Sequence, residues 1–306
     1  MTEIASPGDD DPLSLQGVIP PTLTVFEQNG DVDLERTAEH ARFVVEQGVH
    51  GVFPLGTTGE FTLLSSEERK RVLAAVVDAV GSDVPVIAGV GESGTSETIA
   101  RATPAQEAGV DGLVVVTPYY YPVDDEGAIQ HYRRIAEETA MPIYVYHIPS
   151  KTGNSLSLHA ISEIAAIDGI AGLKDSSKDV PWLGQAIADN SQLTFMAGSD
   201  SLLVPGLDLG CSGLVSAVAN AFPELVVELF EAYESGDRER ARTLQSEIYA
   251  VRTAIKRGPY LAGVKEALSL RGFDAGPLRD PLRRMSETER RELEDDLQQI
   301  DSIESI

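Results

Sequence analysis

Short apolar runs recur at nearly even spacing along the first two thirds of the 306-residue chain. The eight runs cover residues 17–26, 48–56, 84–90, 109–118, 142–149, 170–175, 193–200 and 211–220. They lack the strict alternation of polar and apolar positions that marks a sheet with one face in water. Such runs are typical of strands buried on both faces, so they predict a parallel sheet.

Amphipathic stretches with helical periodicity separate most of these runs. In the stretch 63–80, Ser65 is placed to cap the helix and Glu68 follows three residues later, which is the pattern of a capping box. Residues 128–140 and 159–167 show similar patterns. Eight strand–helix units in roughly 200 residues predict an α/β fold, a (β/α)8 TIM barrel. A doubly wound sheet is the alternative, but it seldom needs eight strands of such even spacing.

Beyond residue 221 the periodicity is helical and no further strand is predicted. We assign residues 13–221 to the barrel and residues 222–306 to a C-terminal helical extension packed on it, whose terminal helix begins at Ser286. Residues 1–12 are expected to form a disordered acidic tail.

The charge of the chain limits its partners. Acidic residues outnumber basic ones by 49 to 24, for a formal net charge of −25. Nucleic acids and anionic membranes need basic patches, so neither is an expected partner. No apolar run reaches the length of a membrane span and the first residues do not resemble an export signal, so we expect a cytoplasmic protein. An acidic, lysine-poor surface also suggests a protein kept soluble at high salt, and a halophilic source is our hypothesis.

Residues that would bind metals or nucleotides are not arranged in strong motifs. The five histidines are scattered, so we expect no metal site. The single cysteine, Cys211, is interpreted as a small buried hydrophobe rather than a nucleophile. The stretch GVGESG at 89–94 matches G-x-G-x-x-G, but a turn of a barrel also needs glycines, so we favour the turn over a nicotinamide site.

A lysine ends the sixth apolar run, in the segment GIAGLKDSS at 169–177. The chain has only six lysines, and a lysine on an inner strand is costly to keep as a cation. The neutral amine of Lys174 would attack a carbonyl and form an imine, which serves as an electron sink for breaking or forming a C–C bond. An ion pair with Asp175 is the structural alternative, although adjacent strand residues point to opposite faces. The pattern alone leaves both alternatives open.

Two further features lie at the ends of predicted strands, where barrel enzymes carry their chemistry. Tyr146 ends the preceding strand and is placed to shuttle a proton to and from a substrate hydroxyl, although by itself it is more typical of a core aromatic. The GTTG stretch at 56–59 offers backbone N–H groups and two hydroxyls before a helix, which suits a carboxylate. Its alternative is a glycine turn with a threonine cap.

Together these residues resemble the dihydrodipicolinate synthase / N-acetylneuraminate lyase family of pyruvate-dependent class I aldolases. The resemblance covers about residues 15–300 and rests on four motifs in order and spacing. They are GTTGE at 56–60, TPYY at 117–120, Y-x-x-P at 146–149 and G-x-K at 172–174. It implies a (β/α)8 barrel, no cofactor other than the covalent imine through Lys174, and a homotetramer built from two tight dimers.

The resemblance also implies a role for each matching position. Lys174 would form the Schiff base with a 2-oxo acid, and Tyr146 would be the general acid and base. Thr57 and Thr58 would bind the carboxylate, with Thr57 hydrogen-bonded to Tyr146, and Tyr120 would complete the proton relay, in many members across a dimer interface. The remaining implied substrate-binding positions are Gly59, Gly198, Ser199 and Val215.

Two departures from the lysine-pathway synthases bear on the substrate. Those synthases carry an arginine after the catalytic tyrosine, as in YNVPSRTG, whereas this chain reads YHIPSKTG with His147 and Lys151. Lysine keeps the charge but loses the bidentate fork. The segment AGSD at 197–200 and the run PYYYP resemble archaeal 2-keto-3-deoxygluconate aldolases. We therefore expect cleavage of 2-keto-3-deoxygluconate or its 6-phosphate to pyruvate and a glyceraldehyde, with Lys151 on a phosphate or sugar hydroxyl unless it is only a surface lysine.

Three other functions remain as alternatives. The first is dihydrodipicolinate synthesis from pyruvate and aspartate semialdehyde, and the second is dehydration of a 2-keto-3-deoxy pentonate through the same imine. The third is a non-catalytic barrel that binds a sugar acid, which the combination of Lys174, Tyr146 and GTTG disfavours because a binding module does not need a costly buried amine.

Overall fold

The computed structural model describes residues 13–300 and 302–303. The predicted acidic tail at 1–12 lies outside the described residues. Seven strands form one parallel sheet in the order β1-β7-β6-β5-β4-β3-β2. The strands are β1 (Gly17–Val18), β2 (Ile87–Gly89), β3 (Gly112–Val116), β4 (Ile143–His147), β5 (Ile170–Asp175), β6 (Thr194–Ala197) and β7 (Gly213–Leu214).

The segment 50–53 occupies the place of the eighth strand and joins the two ends of this sheet. On one side, the amides of His50 and Phe53 donate to the carbonyls of Val18 and Pro20 at 2.8 and 3.0 Å. On the other side, Val52 forms a parallel bridge with Val86. The backbone therefore closes on itself with strands in sequential order, which confirms the predicted barrel and excludes the doubly wound alternative.

Helices alternate with the strands and cover the outside of the barrel. They are α1 (Leu34–Glu46), α2 (Ser66–Val80), α3 (Thr95–Glu107), α4 (Asp125–Glu138), α5 (Pro149–Thr152), α6 (Leu158–Ala165), α7 (Val180–Asp189) and α8 (Leu203–Leu209), with short 3₁₀ turns at Phe61–Leu63, Asp200–Leu202 and Val218–Asn220. The predicted capping box at the start of α2 is present, with the Ser65 hydroxyl accepting from the Glu68 amide and the Glu68 carboxylate accepting from the Ser65 amide. Local polar residues thus set where this helix begins.

Four more helices follow the last strand, as the periodicity predicted. They are α9 (Pro223–Glu234), α10 (Arg238–Ile255), α11 (Tyr260–Leu270) and α12 (Glu287–Leu297). Helix α12 begins after Ser286, which forms a second capping box with Glu289. Helix α9 contacts β1, and α10 contacts α9, α12 and the 3₁₀ turn at Asp200–Leu202. This last contact brings α10 to the end of the barrel where β6 terminates.

The core has two layers that follow from the alternation of strand side chains. Every second side chain of a strand points into the barrel. On β4, Tyr144 and Tyr146 pack there with Phe53 and Met196. The intervening side chain, Val145, packs outward against the helices. No helix in the described part of the chain is long and apolar enough to cross a membrane.

Candidate active site

Lys174 and Tyr146 lie side by side at the ends of neighbouring strands. They are register partners on β5 and β4, and the Lys174 Nζ atom is 3.6 Å from the centre of the Tyr146 ring. The ring of Phe53 lies below, with its centre 5.2 Å from the same nitrogen. Lys174 is only 5% exposed. An amine held among aromatic rings and shielded from water is suited to attack a carbonyl.

Asp175, the alternative partner of Lys174, points away from it. The Asp175 carboxylate lies 2.9 Å from Nδ1 of His147 and accepts hydrogen bonds from the amide and hydroxyl of Ser177. Lys174 and Asp175 are successive strand residues and face opposite sides of the barrel wall. The ion pair that the sequence left open is therefore not formed.

Gly198, at the end of β6, makes room for the lysine. A Cβ atom at this position would lie 2.9 Å from the Lys174 Cε atom and 2.7 Å from the carbonyl oxygen of Asp175. A side chain here would displace the amine. The predicted involvement of Gly198 thus has a steric basis in the structure.

Burial alone would raise the pKa of Tyr146, but the groups around its hydroxyl outweigh that effect. The charge of Lys174 and hydrogen bonds from Thr57, Lys174 and Ser176 stabilise the phenolate, so the pKa of Tyr146 lies below its ordinary value of 10.0. The Thr57 hydroxyl is 3.4 Å from the Tyr146 hydroxyl. A phenol with a lowered pKa takes up and returns protons more readily near neutral pH.

The GTTG turn presents two free donors beside this pair. Within the described part of the chain, the backbone N–H groups of Thr57 and Thr58 have no acceptor. Gly59 is not free to bind a ligand through its backbone, because its amide donates to the Gly56 carbonyl and its carbonyl accepts from the Thr24 hydroxyl. Only the single 3₁₀ turn at Phe61–Leu63 follows directly, and α2 begins at Ser66. The donors therefore come from the turn itself rather than from a long helix dipole.

One cavity of about 500 Å³ connects these groups with the surface. Eight of the ten predicted site residues line it: Thr57, Thr58, Tyr146, Lys151, Lys174, Gly198, Ser199 and Val215. Gly59 and Tyr120 are not in the lining. Gly59 supports the turn from behind, where a Cβ atom would come within 2.9 Å of the Thr22 carbonyl oxygen.

Tyr120 lies on the surface of the chain instead of in the cavity. Its side chain is 84% exposed, its backbone has φ = 82°, and its ring contacts that of Tyr121 at 5.1 Å between centres. Within one chain it does not touch Tyr146. A role in the proton relay through a second subunit stays a prediction.

The cavity has basic residues at its rim that the sequence did not predict. Lys178, Arg252 and Lys256 join Lys151 there, and Arg252 and Lys256 are one turn apart at the end of α10. The pKa of Lys256 lies below its ordinary value, first because of the neighbouring charge of Arg252 and then through burial and the charge of Lys178. The scarcity of lysine was the feature of the sequence that pointed to these positions, since four of the six lysines in the chain line this cavity.

Asp200 supplies the only carboxylate of the cavity lining among the described residues. It is 3% exposed and already satisfied by the hydroxyls of Ser216 and Tyr260 at 2.6 and 2.9 Å and by Arg252 at 3.2 Å. This carboxylate fastens α10 and α11 to the barrel mouth. It is not free to bind a substrate cation.

The two predictions about thiols and metals concern residues away from the cavity. Cys211 is 6% exposed, and burial raises its pKa to about 12, so the thiolate that a nucleophile needs is disfavoured. Within residues 13–300 and 302–303, no group of three or more His, Cys, Asp or Glu side chains is placed to hold a metal ion.

The chain is similar to known proteins over nearly its whole length. The model of the dihydrodipicolinate synthetase family matches residues 14–300. An uncharacterized DapA-like lyase of Halobacterium salinarum is 62% identical over 296 residues, covering 97% of each chain. The 4-hydroxy-tetrahydrodipicolinate synthase of Methanopyrus kandleri is 37% identical over 291 residues, covering 94% of this chain and 97% of the relative.

Solved structures agree with these sequence comparisons. YagE from E. coli K12, a member of the dihydrodipicolinic acid synthase family solved in complex with pyruvate, superposes with a TM-score of 0.90 at 31% identity, covering 94% of this chain and 99% of that one. The dihydrodipicolinate synthase of Thermotoga maritima gives the same TM-score, identity and coverage.

Proposed function

Because the chain belongs to the dihydrodipicolinate synthetase family and is a lyase of the class I pyruvate-dependent aldolase type, we propose that it cleaves a 2-keto-3-deoxy sugar acid. We further propose that the preferred substrate is the 6-phosphate of 2-keto-3-deoxygluconate. The products would be pyruvate and glyceraldehyde 3-phosphate.

The distribution of charge in the cavity supports this substrate. Its rim carries Lys151, Lys178, Arg252 and Lys256, and Asp200, the only carboxylate that the described residues contribute to its lining, already binds other groups. Aspartate semialdehyde brings an ammonium group, which this cation-rich lining would repel and for which the described lining residues offer no free carboxylate. A phosphate at the far end of a sugar acid would instead gain charge-assisted hydrogen bonds.

The proposed reaction begins at Lys174. Its amine attacks the C2 ketone and, with loss of water, forms a protonated imine. The Tyr146 phenolate then takes the proton of the C4 hydroxyl, the C3–C4 bond breaks, and its electron pair flows to the imine nitrogen. The aldehyde leaves, the resulting enamine takes up a proton at C3, and water hydrolyses the imine to release pyruvate and the free amine.

The remaining predicted residues would bind the substrate during these steps. The free amides of Thr57 and Thr58 and the Thr58 hydroxyl would hold the C1 carboxylate next to Lys174, while the Thr57 hydroxyl would donate to the Tyr146 phenolate. Ser199 and Val215 would line the sugar chain between this anchor and the basic rim.

Synthesis of 4-hydroxy-tetrahydrodipicolinate from pyruvate and aspartate semialdehyde is the second candidate. It is favoured by relatives such as the Methanopyrus kandleri synthase, at 37% identity over 94% of this chain. In that case Lys151 would hold the carboxylate of the semialdehyde. Both candidates use the same imine on Lys174, so only the second substrate separates them.

A substrate panel tests the proposal directly. The protein would be incubated with 2-keto-3-deoxy-6-phosphogluconate, with the unphosphorylated acid, and with pyruvate plus aspartate semialdehyde, each with and without borohydride. We expect kcat/KM to be about tenfold or more higher for the phosphorylated acid, since charge-assisted hydrogen bonds add about 1.5–3 kcal/mol. Mass spectrometry should place the reduced adduct on Lys174 and find none in Lys174→Ala.

Matched lysine variants distinguish recognition of the phosphate from a general effect of charge. Lys151→Ala and Lys256→Met should raise KM for the phosphorylated acid more than for the unphosphorylated one. Lys70→Met, on the exposed face of α2, should change neither. Condensation with the semialdehyde alone would establish the second candidate, and an adduct on another lysine would overturn the assignment of Lys174.

A further inference from the structure

A second buried pair lies directly behind the Lys174–Tyr146 pair. His147 and Asp175 are the next residues on the same two strands and are themselves register partners. Their side chains are 1% and 3% exposed, and His147 Nδ1 is 2.9 Å from Asp175 Oδ1. Because strand side chains alternate between faces, this pair points to the helix layer, where the His147 ring lies 4.4 Å from that of Trp182.

The hydrogen bonds of His147 define its tautomer. The backbone amide of Leu156, which can only donate, points at Nε2 from 3.3 Å, so Nε2 is the acceptor. The proton therefore resides on Nδ1 and is donated to Asp175. Through Leu156, the imidazole holds the end of the segment that follows β4 and carries Lys151 on α5.

Asp175 holds the other loop of the cavity mouth in the same way. Its two carboxylate oxygens accept from the amide and the hydroxyl of Ser177, and the Ser177 hydroxyl accepts from the amide of Asp179 at 3.0 Å. Lys178 lies between these two residues with φ = 68°. Few residues other than glycine adopt this backbone conformation, so the surrounding hydrogen bonds are what keep Lys178 in it.

The two loops are also joined to each other. Asp179 caps α7 by accepting from the Trp182 amide, and the Trp182 indole N–H donates to the Leu156 carbonyl at 3.0 Å. The hydrogen bonds thus run in a closed circuit from His147 through Leu156, Trp182, Asp179 and Ser177 to Asp175. The loops that carry Lys151 and Lys178 are both parts of this circuit.

We propose that His147 and Asp175 are positioning residues for the part of the active site that lies away from Lys174 and binds the far end of the substrate. They act through the loops that bear Lys151 and Lys178, without touching the substrate. This inference rests on the proposed function for the identity of the substrate, but it applies to any substrate whose far end those lysines bind. It gives a role to His147, which stands where the lysine-pathway synthases carry asparagine.

Two variants test the circuit at different points. His147→Phe keeps a ring against Trp182 but removes the hydrogen bonds of the imidazole to Asp175, Ser155 and Leu156, so it should loosen both loops. Ser177→Ala leaves His147 intact and should loosen only the loop of Lys178. We expect KM for the phosphorylated sugar acid, or for aspartate semialdehyde if that is the substrate used, to rise about tenfold in His147→Phe and about threefold in Ser177→Ala. The kcat of both variants should stay within about threefold of the wild type.

The rate of borohydride trapping with pyruvate alone provides the internal control. It depends on Lys174 and the GTTG turn, so it should stay unchanged in both variants. His131→Phe is a matched control for the loss of a buried histidine, because His131 bonds Thr95 and belongs to neither loop. That variant should lower the melting temperature without changing KM.

The outcomes separate this inference from the proposed function. If the wild type uses aspartate semialdehyde instead of a sugar acid, the proposed function fails, and a rise in KM for the semialdehyde alone still supports the positioning role. If the wild type turns over neither substrate, faster amide hydrogen exchange at both loops in His147→Phe, with unchanged pyruvate trapping, is the supporting result. Unchanged KM and exchange in both variants, or a parallel loss of pyruvate trapping, would overturn it.

Discussion

The Lys265 Nζ atom lies 2.9 Å from the Glu60 Oε1 atom, and both side chains are almost completely buried. Glu60 ends the GTTGE turn in a left-handed conformation with φ = 55°, and Lys265 belongs to α11, beyond the barrel. Lys265 also donates to the carbonyls of Thr24 and Pro277 at 2.9 and 2.8 Å. The C-terminal helices are thereby tied to the turn whose free amides face the cavity.

Breaking this ion pair should be costly. Burial lowers the pKa of Lys265, and Glu60 opposes that effect, so the charge of Lys265 depends on its partner. Lys265→Met leaves a buried carboxylate without its partner and should reduce the free energy of unfolding by about 3 kcal/mol in denaturant titrations. The double variant Lys265→Met/Glu60→Gln should recover part of the loss. Equal stability of wild type and Lys265→Met would show that the pair contributes little.

Replacement of Tyr146 should affect the chemistry more than the binding. Tyr146→Phe is expected to reduce kcat about 10²- to 10⁴-fold, the range for loss of a general acid–base group, with a smaller change in KM. Because the pKa of Tyr146 is lowered, the wild-type rate should rise with pH to a plateau whose midpoint lies below 10. Thr57→Val removes a hydrogen bond that favours the phenolate, so its midpoint should move upward. A midpoint that does not respond to Thr57→Val would contradict this account.

Two buried histidines should make the fold sensitive to mild acid. Desolvation lowers the pKa of His40 and of His131 from 6.5 to about 4. Between these values the unfolded chain binds more protons than the folded one, so stability is lost as the pH falls from 6.5 towards 4. Each group should cost about 2 kcal/mol between pH 7 and pH 5. His40→Gln should flatten the dependence of unfolding free energy on pH, whereas His159→Gln, at an exposed position, should leave it unchanged.

Salt should stabilise this protein. The net charge of −25 produces repulsion across the surface, and salt screens it, with a Debye length that falls to about 3 Å at 1 M. We expect the melting temperature to rise steadily from about 0.1 M to molar KCl, beyond which screening is nearly complete. A melting temperature that is flat over this range would count against the predicted adaptation to high salt.

Tyr120 tests the predicted assembly. The family resemblance implies a homotetramer of two tight dimers, and the exposed ring of Tyr120 is available to a second subunit. Tyr120→Phe should lower kcat with an unchanged mass by light scattering, and Tyr120→Glu should also weaken the assembly. A wild type that is fully active as a monomer would exclude a relay through this residue.

The sequence by itself determined the elements of the barrel and indicated which two residues to propose as the reacting pair. Eight apolar runs without alternation predicted eight barrel positions, and all eight are present once the segment 50–53 is included. Ser65 and Ser286 marked helix starts because capping depends on residues within one turn. Lys174 and Tyr146 could be proposed together because both lie near the ends of strands, parallel neighbours bring those ends to one rim, and the surrounding motifs resemble a known family.

Only the tertiary structure decided what surrounds that pair. Arg252 and Lys256 lie on a helix without any local mark of function, and they reach the cavity because Asp200 anchors α10 at the barrel mouth. The His147–Asp175 pair needs the register of β4 against β5, and Glu60, at the end of the GTTGE turn, is held by Lys265 from α11. Such contacts join residues far apart in the chain, so they depend on register and packing rather than on local periodicity.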